Sequence, residues 1–116
     1  MKKLYDIKKF TELEYILYCA LSKDKNNPVS KNTIYNLTGI KEREVKQLIK
    51  QLRKKGVPIS SQISHGGGYW IEEDKKEFGR FVRQQQIELD GYKKTLEILK
   101  NIYKSLPGED PNELFI

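Results

Sequence analysis

The chain has 116 residues, 37% hydrophobic and 33% charged, which is room for one small globular domain with an appendage and not for two full domains. A domain of this size buries only about 60–65% of the surface its unfolded chain exposes, so a deep catalytic cleft does not fit. Its 22 Lys and Arg outnumber 16 Asp and Glu, and the net charge of +6 favours polyanionic over acidic partners.

Cys19 is the only cysteine, so no intramolecular disulfide forms. Its place in an apolar run predicts a buried small hydrophobe in a reducing cytoplasm. No stretch approaches the ~20 apolar residues that cross a bilayer, and Lys2-Lys3 precedes no apolar signal core. The expectation is a soluble cytoplasmic protein without a membrane partner.

In chain order, Thr11 and Glu14 form a capping box, and Leu13, Ile16, Leu17, Ala20 and Leu21 recur at helical spacing, predicting a first helix over residues 12–22. Residues 23–28 are polar and read as a loop. Ser30 caps a short second helix carrying Ile34 and Leu37, which ends at Thr38-Gly39. Over residues 41–55, Val45, Leu48, Ile49 and Leu52 fall on one face of a third helix, and Gly56 stops it. Helix, glycine turn and amphipathic helix together make a helix-turn-helix pattern. The period then changes: residues 57–63 are β-branched and partly alternating, residues 64–68 make a Gly-rich turn, and Tyr69-Trp70-Ile71 returns as a second strand. Asp74 with Glu77 opens a long helix that persists to about residue 105, where Pro107-Gly108 ends it.

The charge is concentrated in the third helix. Residues 41–55 hold seven positive and two negative side chains, five of the six net charges of the chain. At about 100° per residue, Arg43, Gln47, Lys50 and Lys54 lie opposite the apolar row, with Lys46 and Arg53 on a flank. Arg, Lys and Gln reach base edges in a major groove, through donors to guanine O6 and N7 or paired amide bonds to adenine. The N-terminal half of such a helix enters the groove, making Arg43, Lys46, Gln47 and Lys50 the candidates for base contact. Lys41, Arg53, Lys54 and Lys55 are the candidates for phosphates, joined by Lys31, Asn32 and Thr33 at the start of the preceding helix.

Leu37-Thr38-Gly39-Ile40, the run Gly56-Val57-Pro58-Ile59-Ser60-Ser61 and Gly67-Gly68-Tyr69-Trp70-Ile71 resemble the winged helix-turn-helix domain of DeoR-type and biotin-repressor-type regulators. In that family the recognition helix ends in a glycine, a G-x-P-I segment starts the wing and a G-G-Y segment closes it. The resemblance covers roughly residues 10–72. It implies a mainly α fold with a small β-hairpin, the hairpin acting as a wing through Ser64, His65, Gly66, Gly67 and Gly68. Two features depart from it. Lys41 stands where a Ser or Thr cap is usual, and no effector or ligase domain follows the wing, so small-molecule sensing and biotin transfer do not carry over. The layout is similar to small DNA-binding proteins of phages and prophages.

The remaining candidates have plainer readings. His65 has no second His or Cys to complete a metal site, and the glycines beside it lack the Lys-Ser/Thr of a phosphate loop, so no metal or cofactor is expected. A wing tip approaching DNA and a plain hairpin turn both suit that segment. Tyr69 and Trp70 read as core, and Tyr15 and Tyr18 as packing residues. No Ser, His and Asp set is present, and catalytic activity is not expected.

Phe78, Val82, Gln85, Leu89, Tyr92, Leu96, Leu99, Tyr103 and Leu106 alternate spacings of 4 and 3, a heptad seam predicting dimerisation. Gly79 and Gly91 leave a hinge and an antiparallel fold-back open. The sequence thus divides into an N-terminal segment (1–9), a winged helix-turn-helix (10–72), a long heptad helix (73–106) and an acidic tail (107–116). The function expected is sequence-reading double-stranded DNA binding by a homodimeric transcriptional regulator or mobile-element control protein. A protein-docking adaptor and a replication accessory protein are the alternatives.

Overall fold

In the computed structural model, which describes residues 5–62 and 67–109, Thr11 starts the first helix, α1 (Glu12–Ala20), by a reciprocal cap. The Thr11 hydroxyl accepts from the Glu14 N–H at 3.2 Å, and the Glu14 carboxylate accepts from the Thr11 N–H at 2.8 Å. The Ser30 hydroxyl likewise accepts from the Thr33 N–H at 3.1 Å and opens α2 (Lys31–Thr38). That helix stops because Gly39 takes a left-handed conformation, φ +78°, and its N–H donates to the Tyr35 carbonyl at 2.7 Å. After this turn comes α3 (Glu42–Lys54), which lacks a side-chain cap at Lys41 but carries Glu42 and Glu44 in its first turn and Arg53 and Lys54 in its last, complementing the helix dipole.

Strands β1 (Ile59–Gln62) and β2 (Gly68–Ile71) form an antiparallel hairpin pairing Ile59 with Ile71 and Gln62 with Gly68. The described residues are therefore mainly helical, with four α-helices and this hairpin; the last helix, α4 (Lys75–Ser105), runs unbroken through Gly79 and Gly91. The chain divides into two compact units, Met1–Phe81 and Val82–Ile116. No helix among the described residues is long and apolar enough to cross a membrane.

In the first unit the core is built from Leu17 and Leu21, Ile34, Ile40, the α3 row Val45, Leu48, Ile49 and Leu52, and Val57, Ile59 and Ile71. The hairpin is fastened to this core from two sides. Val29 exchanges both backbone bonds with Tyr69, at 2.8 and 2.9 Å, and the Ile71 N–H donates to the Ser22 carbonyl at 2.8 Å. Both ends of the segment read as a loop are thus tied to β2, and the N-terminal segment is tied down by Tyr5, whose ring stacks on Phe10 and whose hydroxyl meets that of Tyr18 at 3.1 Å.

Gly68 marks the tightest approach. Its φ is +142°, and a Cβ added there would lie 2.8 Å from the Pro28 Cβ. Gly68→Ala is expected to lower stability by about 2 kcal/mol, through backbone strain and forced separation from Pro28, in urea denaturation. A loss below about 0.5 kcal/mol would mean that the strand tolerates the shift.

Several expected core positions lie elsewhere. On α1 the buried side chains are Glu14 and Leu17, while Leu13, Tyr15, Ile16 and Cys19 are exposed. The capping box, together with an ion pair to Lys55 at the end of α3, turns Glu14 inward and rolls the apolar row partly outward. Leu37 is exposed on α2, Trp70 is half-buried, and α1 ends at Ala20 instead of residue 22, whereas Tyr69, though half-buried, packs against the core as expected. Phe78 is half-buried in the first unit with its ring 5.8 Å from that of Phe81, so it does not belong to an exposed seam.

Candidate nucleic-acid interface

The two faces of α3 have opposite destinations. Val45, Leu48, Ile49 and Leu52 are buried, and this pins the rotation of the helix so that Arg43, Lys46, Gln47, Lys50 and Lys54 are exposed. Lys41, just ahead of the helix, is exposed as well. None of the six makes an ion pair with a carboxylate among the described residues. The result is a cationic face held on a rigid element.

Two of the expected phosphate contacts are instead used inside the first unit. The Lys55 ammonium bonds the Glu14 carboxylate and donates to the Lys9 carbonyl at 3.0 Å. The Arg53 Nε donates to the Ile59 carbonyl at 3.0 Å, and its guanidinium lies 5.2 Å from the centre of the Phe81 ring. Both sit at the C-terminal end of α3, where long cationic stems reach neighbouring elements that offer a buried carboxylate or an open carbonyl. In the sequence they are indistinguishable from the other cations of the helix, because charge alone does not reveal such partners.

At its N-terminal end the face continues onto α2. Lys31 is half-buried, and burial first and the charge of Lys46 second push its ammonium below the usual lysine range. An anion placed between the two would relieve that repulsion. Asn32 and Thr33 are exposed beside them, the Thr33 hydroxyl accepting from Ser30 at 3.0 Å. A groove of about 500 Å³ adjoins this corner, walled by the cap Ser30 and by Lys31 and Asn32 on α2, Glu42 on α3, and Ser61, Gln62, Gly67, Gly68 and Tyr69 of the hairpin. The α2 residues and the glycines are separately legible in the sequence; Ser61, Gln62 and Glu42 are not, because only the fold brings them to the same groove.

Gly67, at φ +79°, and Gly68 close the hairpin, whereas the expected wing residues Ser64, His65 and Gly66 lie outside the described residues. So do Asp110 and the Leu114-Phe115-Ile116 end of the acidic tail.

Among the described residues no group of three His, Cys, Asp or Glu is placed to hold a metal ion. Compared with protein-family models, curated proteins and solved structures, the chain matches none.

Proposed function

We propose that this chain is a sequence-reading double-stranded DNA-binding protein that acts as a regulator. In this reading α2 and α3 form a helix-turn-helix, the β1–β2 hairpin is its wing, and α3 enters the major groove. The observation that carries the proposal is the cationic face of α3, exposed and without carboxylate partners among the described residues, on a helix whose opposite face is locked into the core. A lysine-rich helix that only kept the protein soluble would gain from interspersed Glu and Asp, and here the acidic residues are confined to the first turn.

Arg43, Lys46, Gln47 and Lys50 carry the base contacts, since they occupy the N-terminal two-thirds of the exposed face. Lys54 and Lys41 contact phosphates. Lys31, Asn32 and Thr33 take a phosphate of the neighbouring backbone turn, where the exposed start of α2 and the paired Lys31 and Lys46 favour an anion. Arg53 and Lys55 take no part in this reading: they hold α3 against β1 and α1.

Salt titration tests the electrostatic half of the proposal. Lys54→Ala is expected to weaken binding equally on all duplexes and to lower the slope of log affinity against log salt by about 1. Lys50→Ala should lower the slope as well, but weaken binding most on duplexes carrying its preferred base pair, relaxing preference there. Unchanged slopes for both variants in fluorescence anisotropy would remove the phosphate contacts and favour a protein-docking role.

A further inference from the structure

We propose that the apolar stripe of α4 is covered by α4 of a second copy of this chain, parallel and in register. The inference rests on the second unit alone and stands whether or not α3 reads DNA. Val82, Leu89, Leu96 and Leu99 on α4, a helix with no buried residue, and Leu106 just past its end are each between 47% and 60% exposed. They recur at heptad positions, with Val82, Leu89 and Leu96 at a and Leu99 and Leu106 at d. A stripe this long on one helix drives association.

The charges beside the stripe choose the partner and its direction. Glu88 is at a g position and Lys93 at the following e, so in a parallel, in-register pair each Glu88 faces Lys93 of the partner subunit, twice by symmetry. An antiparallel pair sets g against g and e against e. The g positions then offer Glu88, Thr95 and Ile102 and the e positions Gln86, Lys93 and Lys100, so no register joins opposite charges and some set Lys93 against lysine. Two of the three e residues already bond b residues of their own helix: Gln86 donates to Asp90 at 3.0 Å and Lys100 meets Glu97 at 3.6 Å. Glu88 and Lys93 make no ion pair or hydrogen bond among the described residues. Gln85, at d, meets its own copy across the axis only when the helices are parallel and unshifted, which makes it a register device. Ile102, at g, extends the cover over the flank of the seam, while Ile87 and Ile98 remain as isolated outward residues.

Sedimentation equilibrium of the full chain across a concentration series tests this. The unsubstituted chain is expected to be a dimer, and Leu96→Asp with Leu99→Asp a monomer. Because that pair of changes also weakens the helix, a charge exchange provides the second reading. Glu88→Lys is expected to weaken dimerisation about 3- to 10-fold, and adding Lys93→Glu to restore it. A monomer throughout, an assembly larger than two chains, or failure of Lys93→Glu to restore association would overturn the proposal.

Discussion

Replacing Lys55 by alanine is expected to cost about 3–5 kcal/mol and to lower the melting temperature by more than about 10 °C. Glu14 is 1% exposed, and its carboxylate accepts from the Lys55 ammonium and the Thr11 N–H. Removing the ammonium leaves a buried charge that must either protonate or draw water into the core, and both are costly. Replacing both partners, as Glu14→Gln with Lys55→Met, is expected to recover most of the loss, because the penalty belongs to the unpaired charge and not to the missing attraction. A cost below about 1 kcal/mol for Lys55→Ala would show that water reaches Glu14 already.

The same pair sets a pH dependence. Burial raises the Glu14 pKa, but the bond from Lys55 and those from Thr11 together outweigh it and hold the carboxyl below its ordinary value. A carboxyl whose folded pKa is depressed contributes stability that is fully present above its unfolded pKa. That contribution fades as the pH falls from about 4.5 through the folded value, and the double variant carrying Glu14→Gln and Lys55→Met should lack this part of the acid destabilisation in urea denaturation at a series of pH values.

Much of this fold is legible in the sequence where local chemistry and packing agree. The capping box at Thr11, the Ser30 cap, Gly39 and the apolar row of α3 each have a local cause, and each element forms where that cause places it. The cationic face of α3 is legible for the same reason: once Val45, Leu48, Ile49 and Leu52 are assigned to the core, the opposite side chains must face outward. What escapes sequence reading depends on distant partners. Glu14 and Lys55 are 41 residues apart, and nothing local says that a capping glutamate also serves as a buried counter-ion. Arg53 resembles any other cation of α3 until the Ile59 carbonyl and the Phe81 ring are brought beside it. The roll of α1, which exposes Leu13 and Ile16, follows from the pairing of Glu14 with Lys55. The joining of the 22–29 segment to β2 is equally hidden, since two isolated bridges leave no alternating pattern to read.

Arg43, Lys46 and Lys50 are exposed and away from the core, so reversing all three to glutamate should leave the fold intact: helix propensities are similar, and no described ion pair is broken. For duplex binding the consequence is severe. Three attractive interactions with base edges and neighbouring phosphates become repulsive, and at about 1–3 kcal/mol for each base pairing removed, affinity is expected to fall at least 100-fold. The deciding measurement is fluorescence anisotropy of the full chain on duplexes first selected from a random pool, with circular dichroism of each variant as the check on folding. Enrichment of a defined duplex by the unsubstituted chain, and loss of its binding by the folded triple reversal, are expected. A folded triple reversal that binds the selected duplex as tightly as the unsubstituted chain would contradict the proposed role of α3.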